Sequence, residues 1–582
     1  MKPIVLFISH KQQQCGVYQF GCNIGRVLKN SSHYDFAYSE CGSEDELIRA
    51  VAEFKPVAVI YNYYPSTMPW LKKKTIRRIN AVQIGILHEV TQEVADKADD
   101  SFFHGHIAPD PTLLLRNPIV FKTGRLVPRY DNQYPLPAIP TIGSFGFGTA
   151  GKGFEKLIAT VQNEFDQAVI KLHIPFAAFG DAQGTEARAI VQRCKEIIAK
   201  PGIQIHISHD FVTQEQLLDF LAANSLNAFF YEENKGRGIS SVIDYALAVQ
   251  RPIAITKSNM FRHISSAYPS VCIEDSTLKT IMNNGFAPLE QHRRDWSEEN
   301  LVWDYERAVK TMLGRKLQPP APVLLDKARK LLRRGSKAVS GFWVPDTVVQ
   351  DSAKPAAHLG KFVYHSLPGV TSFNRILDNA ARAQYEPVIR SLFEFLPDMM
   401  ARKIPEANIQ QAFVLDTVYK FASQLTKPKM LSIGSYDDTA AASLKLLGFR
   451  MDEVDPVFNY DLNAFCTRPS TIKGSYELIF ATSVLEHVQD DELFMRDIVD
   501  LLAPGGVAVL TVDYNDSYKP GDPIPHEDFR LYTQMDFKKR FSPVLENCSF
   551  VDTPQWDCPN PDFIYTGCKY TFATLVFRKN PR

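Results

Sequence analysis

Three times along this chain short apolar runs alternate with amphipathic stretches, and that alternation restricts the possible folds more than any other feature of the sequence. The runs "IVLFIS" (4–9), "VAVIYN" (57–62) and "VQIGILH" (82–88) are apolar on both faces, as strands buried inside a parallel sheet are. Between them, "FGCNIGRVLKN" and "EDELIRAVAEF" carry apolar residues at helical spacing. Strand, helix and strand in succession wind a sheet with helices on both faces.

The alternation restarts twice. After the proline-rich "PRYDNQYPLPAIPT" (128–141) come "IGSFGF", a helix from Phe154, "IKLHIPF", "IQIHI", "NAFFYE" and "RPIAIT". A proline break in "RKLQPPAPVLLDKARKLLRRGSKAV" ends that series and leads into a basic amphipathic helix over 326–337. Residues 345–370 are mixed and polar, and 373–426 read as helices, one starting near Asn374 and another near Glu406. The last series begins at Lys429. The length of 582 residues agrees with several units, since a domain averages roughly 150 residues. The predicted class is α/β: Rossmann-like domains at 1–137 and 138–315, a helical linker at 316–426 and a third Rossmann-like domain at 427–582.

Charge and cysteine usage remove several function classes. Lys plus Arg and Asp plus Glu are 65 each, so no overall field draws the chain to nucleic acid. The basic helix at 326–337 leaves open a weak peripheral contact with an anionic membrane, or a solvated linker. No run of 18 apolar residues is present, and "MKPIVLFISH" reads as a first strand rather than a signal peptide. The nine cysteines include no C-x-x-C pair, which fits a reducing cytoplasm and gives no structural zinc pattern.

The carboxyl-terminal series contains "YELIFATSVLEHVQDDELFMRDIVDLLAPGGVAVLTVDY" (476–514), a strand, a loop, an amphipathic helix, a Pro-Gly-Gly turn and a strand. With "MLSIGSYDD" before it and "FRLYTQMDF" (529–537) after it, the region 427–578 resembles the class I S-adenosylmethionine-dependent methyltransferases. The resemblance implies S-adenosylmethionine as cofactor, with Gly434, Ser435, Tyr436, Asp437 and Ser483 around it. It also implies that Asp455, ending the strand "FRMDEVD" about twenty residues beyond Gly434, grips the ribose hydroxyls. Ser432 stands where the family has an acidic residue, and Tyr436 and Asp438 where it has glycines. Asp437 and Asp438 are candidates to replace the missing acid, one of them capping the following helix. For the base that removes a proton from a hydroxyl acceptor, His526 comes first, with Asp513 and His487 behind it. His526, Glu527 and Asp528 are consecutive and do not easily converge on one metal ion, so no metal is expected.

The first two series hold a second set of motifs. Gly16 lies in "QCGVYQFGCNIGRVL", His88 and Glu89 end "VQIGILHEV", Lys152 lies in "TIGSFGFGTAGKGFEKLI", and Gly236, Arg237, Gly238 and Ser240 lie in "YEENKGRGISSVIDYALAVQRPIAIT". Their order resembles the retaining GT-B glycosyltransferases over about 1–315, which implies a nucleotide-sugar donor with Lys152 at its diphosphate. "WSEENLVWDYERAVKTML" then corresponds to a terminal helix returning to the first domain. Arg237 and Tyr245 replace the two glutamates of the family's donor segment, with Asp244 beside the second. Two readings stay open. One is a cytoplasmic bifunctional enzyme building a surface polysaccharide or glycolipid, with a glycan or glycolipid acceptor. The other is a methyltransferase whose GT-B part only binds glycan or nucleotide. The oligomeric state is not legible.

Overall fold

The computed structural model describes residues 2–12, 15–176, 181–317 and 362–581. They form two compact units, Met1–Ala353 and Lys354–Arg582. The basic helix expected at 326–337 lies outside the described residues.

The first unit contains two parallel sheets. One has β1 (Ile4–Ser9), β2 (Asp35–Glu40), β3 (Ala58–Tyr61), β4 (Val82–Ile86), β5 (Gly105–Ala108) and β6 (Val120–Lys122) in the order β2-β1-β3-β4-β5-β6. Alternation along β1 sends Val5 and Phe7 to one face and Leu6 and Ile8 to the other. The first face is covered by the helix Gly16–Leu28 through Ile24, Val27 and Leu28; the second by the helix Glu44–Phe54 through Leu47 and Ala50. The other sheet has β7 (Thr141–Phe145), β8 (Ala168–His173), β9 (Ile203–Ser208), β10 (Leu226–Phe229) and β11 (Ile253–Ile255) in the order β11-β10-β7-β8-β9.

The helix Glu298–Leu317 leaves this second series and packs into the core of the first sheet through Leu301, Tyr305, Val309 and Met312. Glu306 fixes it there, accepting from Ser31 Oγ at 2.5 Å, the Ser32 and His33 N–H groups at 3.1 Å and His33 Nδ1 at 2.9 Å. The segment thus belongs to the first sheet's core, although it follows the second in sequence.

The second unit holds one mixed sheet of β12 (Met430–Ile433), β13 (Met451–Val454), β14 (Tyr476–Thr482), β15 (Leu502–Tyr514), β16 (Cys548–Phe550), β17 (Phe563–Tyr565) and β18 (Cys568–Lys579). The order is β13-β12-β14-β15-β18-β16, with β17 paired to β18; β12 to β15 run parallel and β18 lies antiparallel to β15 and β16. The Pro-Gly-Gly sequence does not precede the strand. It loops out within β15, where pairing jumps from Tyr476–Leu502 to Leu478–Val507, and Gly505 takes φ of 80°.

Residues 362–426, read from the sequence as part of a linker, pack into this unit. The helix Asn408–Ala422 is buried on nearly every face, with Ile409, Ala412, Phe413, Leu415 and Val418 fully buried beside the polar Gln410, Gln411 and Asp416, so it has partners all round. It lies against β14, β15 and the helix Thr439–Leu446. The helix expected near Asn374 starts at Asn379 instead, with Asp378 as its cap accepting from the Ala381 N–H at 2.9 Å. Asn374 is kept out of the helix because its side chain bonds both backbone groups of Val576 on β18.

Candidate functional site

In the carboxyl-terminal unit the ends of β12, β13, β14 and β15 gather most of the predicted residues. Gly434 follows β12 with φ of 71°, and a Cβ there would stand 2.4 Å from Val484 Cγ2, so the bend requires glycine on two counts. Its N–H donates to the Val454 carbonyl at 2.8 Å, tying the bend to the end of β13. Asp455 accepts there from the Tyr436 N–H at 3.1 Å and the Val457 N–H at 2.7 Å, one on each carboxylate oxygen. Each oxygen keeps a lone pair for a further donor. Burial holds this carboxyl above its ordinary range against those two bonds.

The remaining bend residues divide by role. The Tyr436 ring turns edge-on to Phe458, 5.6 Å between centroids. Asp437 is engaged by Arg402 at 2.8 Å and Lys403 at 3.2 Å. Asp438 caps the helix Thr439–Leu446 through its Oδ1, 2.8 Å from the Ala441 N–H, while its buried Oδ2 has no hydrogen-bond partner among the described residues. The buried hydroxyls of Ser432 and Ser435 are likewise unpartnered among those residues. Ser483, after β14 with φ of 55°, donates through Oγ to Glu486 Oε1 at 2.7 Å.

The candidate bases separate. His526 and His487 are both exposed, but His487 bonds the buried Asp528, which stands with buried Asp513 and Glu486. The loop after β15 is drawn onto the Leu485–His487 turn by three contacts. The Phe529 N–H donates to the Glu486 carbonyl at 2.8 Å, His487 Nδ1 lies 3.2 Å from the Glu527 carbonyl, and the same nitrogen lies 3.1 Å from Asp528 Oδ1. Arg530, Tyr532 and Arg540 anchor the rest of "FRLYTQMDF" on the carboxylate of Asp491. Two acceptors facing Nδ1 fix its proton there, and the bond to Asp528 raises the imidazole to about 9. Burial pushes Asp513 well upward, and neighbouring Glu486 adds to it. Glu486 was not singled out from the sequence, and Asp528 was weighed only as a metal ligand beside His526 and Glu527. The acid-rich "LEH" and "HED" stood in view, but the contact between them is a product of folding. Among the described residues no three His, Cys, Asp or Glu side chains are disposed to hold a metal ion.

In the amino-terminal unit the predicted residues stand beyond the ends of β1, β4, β7 and β10. His88 at the end of β4 bonds Asn62 Oδ1 through Nε2 at 2.8 Å, and burial lowers its imidazole to about 3. Glu89, with φ of 51°, pairs with Arg237 at 2.9 Å. A Cβ on Gly238 would stand 2.6 Å from the Glu89 Cα, so glycine permits these two backbones to meet. Gly236 lies in the exposed part of that loop, and the Ser240 N–H donates to the Met260 carbonyl at 2.9 Å. Lys152 sits with its Nζ 3.9 Å above the Tyr231 ring and has no carboxylate partner among the described residues. It precedes Gly153, the left-handed cap of the helix Phe154–Glu164, where a Cβ would fall 1.9 Å from the Phe230 carbonyl. Gly16 opens its helix onto free space, with nothing within 4 Å of the point where a Cβ would stand. Asp244 is buried in a two-pronged pair with Arg125 at 2.6 and 3.0 Å, and Tyr245 packs edge-on to Phe145.

Solved glycosyltransferases are among the structural neighbours of the amino-terminal half. HepE of Anabaena, crystallised with UDP and glucose, is 12% identical with a TM-score of 0.40 over 53% of this chain and 100% of its own. A glycosyltransferase from Rickettsia africae is 13% identical with a TM-score of 0.37 over 54% and 97%. Sucrose-phosphate synthase from Thermosynechococcus elongatus is 14% identical with a TM-score of 0.35 over 58% and 100%. A protein family described as a methyltransferase domain matches residues 406–556, from the start of the buried helix Asn408–Ala422 through β16. Residues 406–556 therefore form a methyltransferase domain.

Proposed function

We propose that the carboxyl-terminal unit binds S-adenosylmethionine and transfers its methyl group to a glycan or glycolipid acceptor. The observation that carries this is Asp455: a buried carboxylate, steered by the Tyr436 N–H onto the bend at Gly434, with lone pairs left for ribose hydroxyls. The unpartnered Oδ2 of Asp438 fits the cofactor's ammonium group, a role that Asp437 is less suited to because Arg402 and Lys403 already hold it. When bound, the cofactor supplies an electrophilic methyl group; the protein's part is to align the acceptor and manage its proton. His487, oriented by Asp528 and holding its proton to about 9, stands there as a cation, so the proton-removing role falls to Asp513 or His526. A hydroxyl acceptor is the expectation from the sequence. Calorimetric titration with S-adenosylmethionine and its demethylated product tests the reading, and Asp455→Ala is expected to weaken both by about 1.5–3 kcal/mol. Unchanged affinity in the variant would remove the ribose assignment.

For the amino-terminal unit we propose retaining glycosyl transfer from a nucleotide sugar, with Lys152 and the start of the helix Phe154–Glu164 at the diphosphate. Lys152 supports this because its charge is left to a π-face alone, an arrangement that an anionic ligand would improve. The Arg237–Glu89 pair favours the second reading, a binding module, since it engages the cation that stands in place of a family glutamate. Incubating the protein with a panel of nucleotide sugars and measuring nucleoside diphosphate release decides between them. Release that falls at least tenfold in Lys152→Ala is the result expected of an enzyme. A cytoplasmic setting in surface polysaccharide or glycolipid assembly fits both activities. No helix among the described residues is long and apolar enough to cross a membrane.

A further inference from the structure

Behind the Leu485–His487 turn the fold buries three carboxylates from three separate segments. Glu486 is fully buried, and Asp513 and Asp528 are 6% and 9% exposed. Each keeps one oxygen (Oε2, Oδ1 and Oδ2 respectively) without a hydrogen-bond partner among the described residues. They touch one another's surroundings directly: the Asp513 N–H lies 3.3 Å from Glu486 Oε1, and Asp528 accepts from His487 at 3.1 Å. A fourth group comes from another element. Gln410, 2% exposed on the helix Asn408–Ala422, reaches Ser483 Oγ through Nε2 at 3.4 Å, and its Oε1 is also unpartnered among those residues.

All four unmatched atoms are acceptors. Their complement is a group rich in N–H donors and positively charged, because a buried carboxylate is satisfied by an opposite charge and by hydrogen bonds. A hydroxyl offers one donor, and making it nucleophilic builds negative charge beside carboxylates, which repel it. The positive charge already present, on His487, is directed through Nδ1 to Asp528 and favours the charged form of Glu486 through space, while Asp513 has a neutral hydroxyl, that of Tyr570, beside it. The oxygens are not arranged as ligands around a single metal ion.

We propose that this cluster is the acceptor pocket of the methyltransferase unit and that it takes a protonated amine, in a glycan an amino sugar, rather than a hydroxyl. The proposal rests on the methyl-transfer reading and specifies its substrate. One proton passes from the ammonium nitrogen to the carboxylate of Glu486 or Asp513; the N–H bond breaks, the nitrogen keeps its lone pair, and the carboxylate becomes a carboxylic acid. Burial raises the proton affinity of both carboxyls, which brings this transfer closer to balance. Gln410 and the remaining carboxylate hold the nitrogen while its charge is lost.

The test uses the full chain saturated with S-adenosylhomocysteine, whose own affinity is measured first. Methyl glycosides of glucosamine and of its regioisomeric amino sugars are titrated beside methyl glucoside. At least one amine is expected to bind about tenfold or more tightly than the neutral sugar. Glu486→Gln and Asp513→Asn, each nearly isosteric and checked for folding by circular dichroism, are expected to erase that preference while S-adenosylhomocysteine affinity stays within about twofold. Ethylammonium chloride gives a check without variants, since it should compete with the amino sugar where ethanol does not. Equal binding of amine and neutral sugar, binding of neither, or transfer of labelled methyl to oxygen overturns the proposal. Absence of S-adenosylhomocysteine binding overturns the methyl-transfer reading beneath it, and the two failures are separated by that first measurement.

Discussion

The two histidines at the sheet ends respond oppositely to their surroundings. His487 holds its proton to about pH 9 rather than 6.5 because Asp528 accepts from Nδ1. The folded chain thus binds this proton more tightly than the unfolded one. Its stabilising effect is complete below about 6.5 and is lost as pH rises through about 9. NMR titration should place the His487 midpoint near 9, and Asp528→Asn should return it toward 6.5 and flatten the fall in melting temperature over that interval. His88 is pushed the other way, to about 3, so its ring is neutral at physiological pH and serves as a hydrogen-bonding group beside Asn62, not as a cation for phosphate. A ring signal from His88 that shifts between pH 5 and 8 would contradict this.

Among the elements, the bend after β12 is the most constrained. Gly434→Ala forces an alanine to φ near 71° and a methyl group into Val484, and the expected loss is about 1–3 kcal/mol in urea unfolding, with weaker cofactor binding. That glycine was legible because it ends the short strand "MLSI" just ahead of a helical stretch. Strands with continuous apolar runs, such as β1, β4 and β14, were legible from those runs. Strand β2, "DFAYSE", was not, because its half-exposed edge position lets it carry polar residues. The helix Asn408–Ala422 was visible as a helix, yet its placement was missed: the fold buries its polar Gln410, Gln411 and Asp416 along with its apolar residues, and proximity to a proline-rich stretch suggested a linker instead. Of the carboxylates near His487, Asp513 and Asp528 were legible singly and Glu486 was not. Their convergence was not, since Glu486 and Asp528 meet only when the loop after β15 folds back through Phe529.

At the scale of the molecule, each compact unit includes residues beyond the repeat that first announced it. A fragment covering 362–582 is expected to fold cooperatively, whereas one starting at 427 lacks the helix that buries Phe413, Leu415 and Val418 and is expected to lose its melting transition in circular dichroism. The same logic governs the first unit. The helix Glu298–Leu317 caps a face of the β1 sheet, and Glu306 bonds Ser31 across 275 residues of chain. On the ribosome, the opening lobe must therefore wait, one greasy side uncovered, until the whole following lobe has been translated. Chaperone engagement of the nascent polypeptide should persist through that interval and end once Met312 has cleared the exit tunnel.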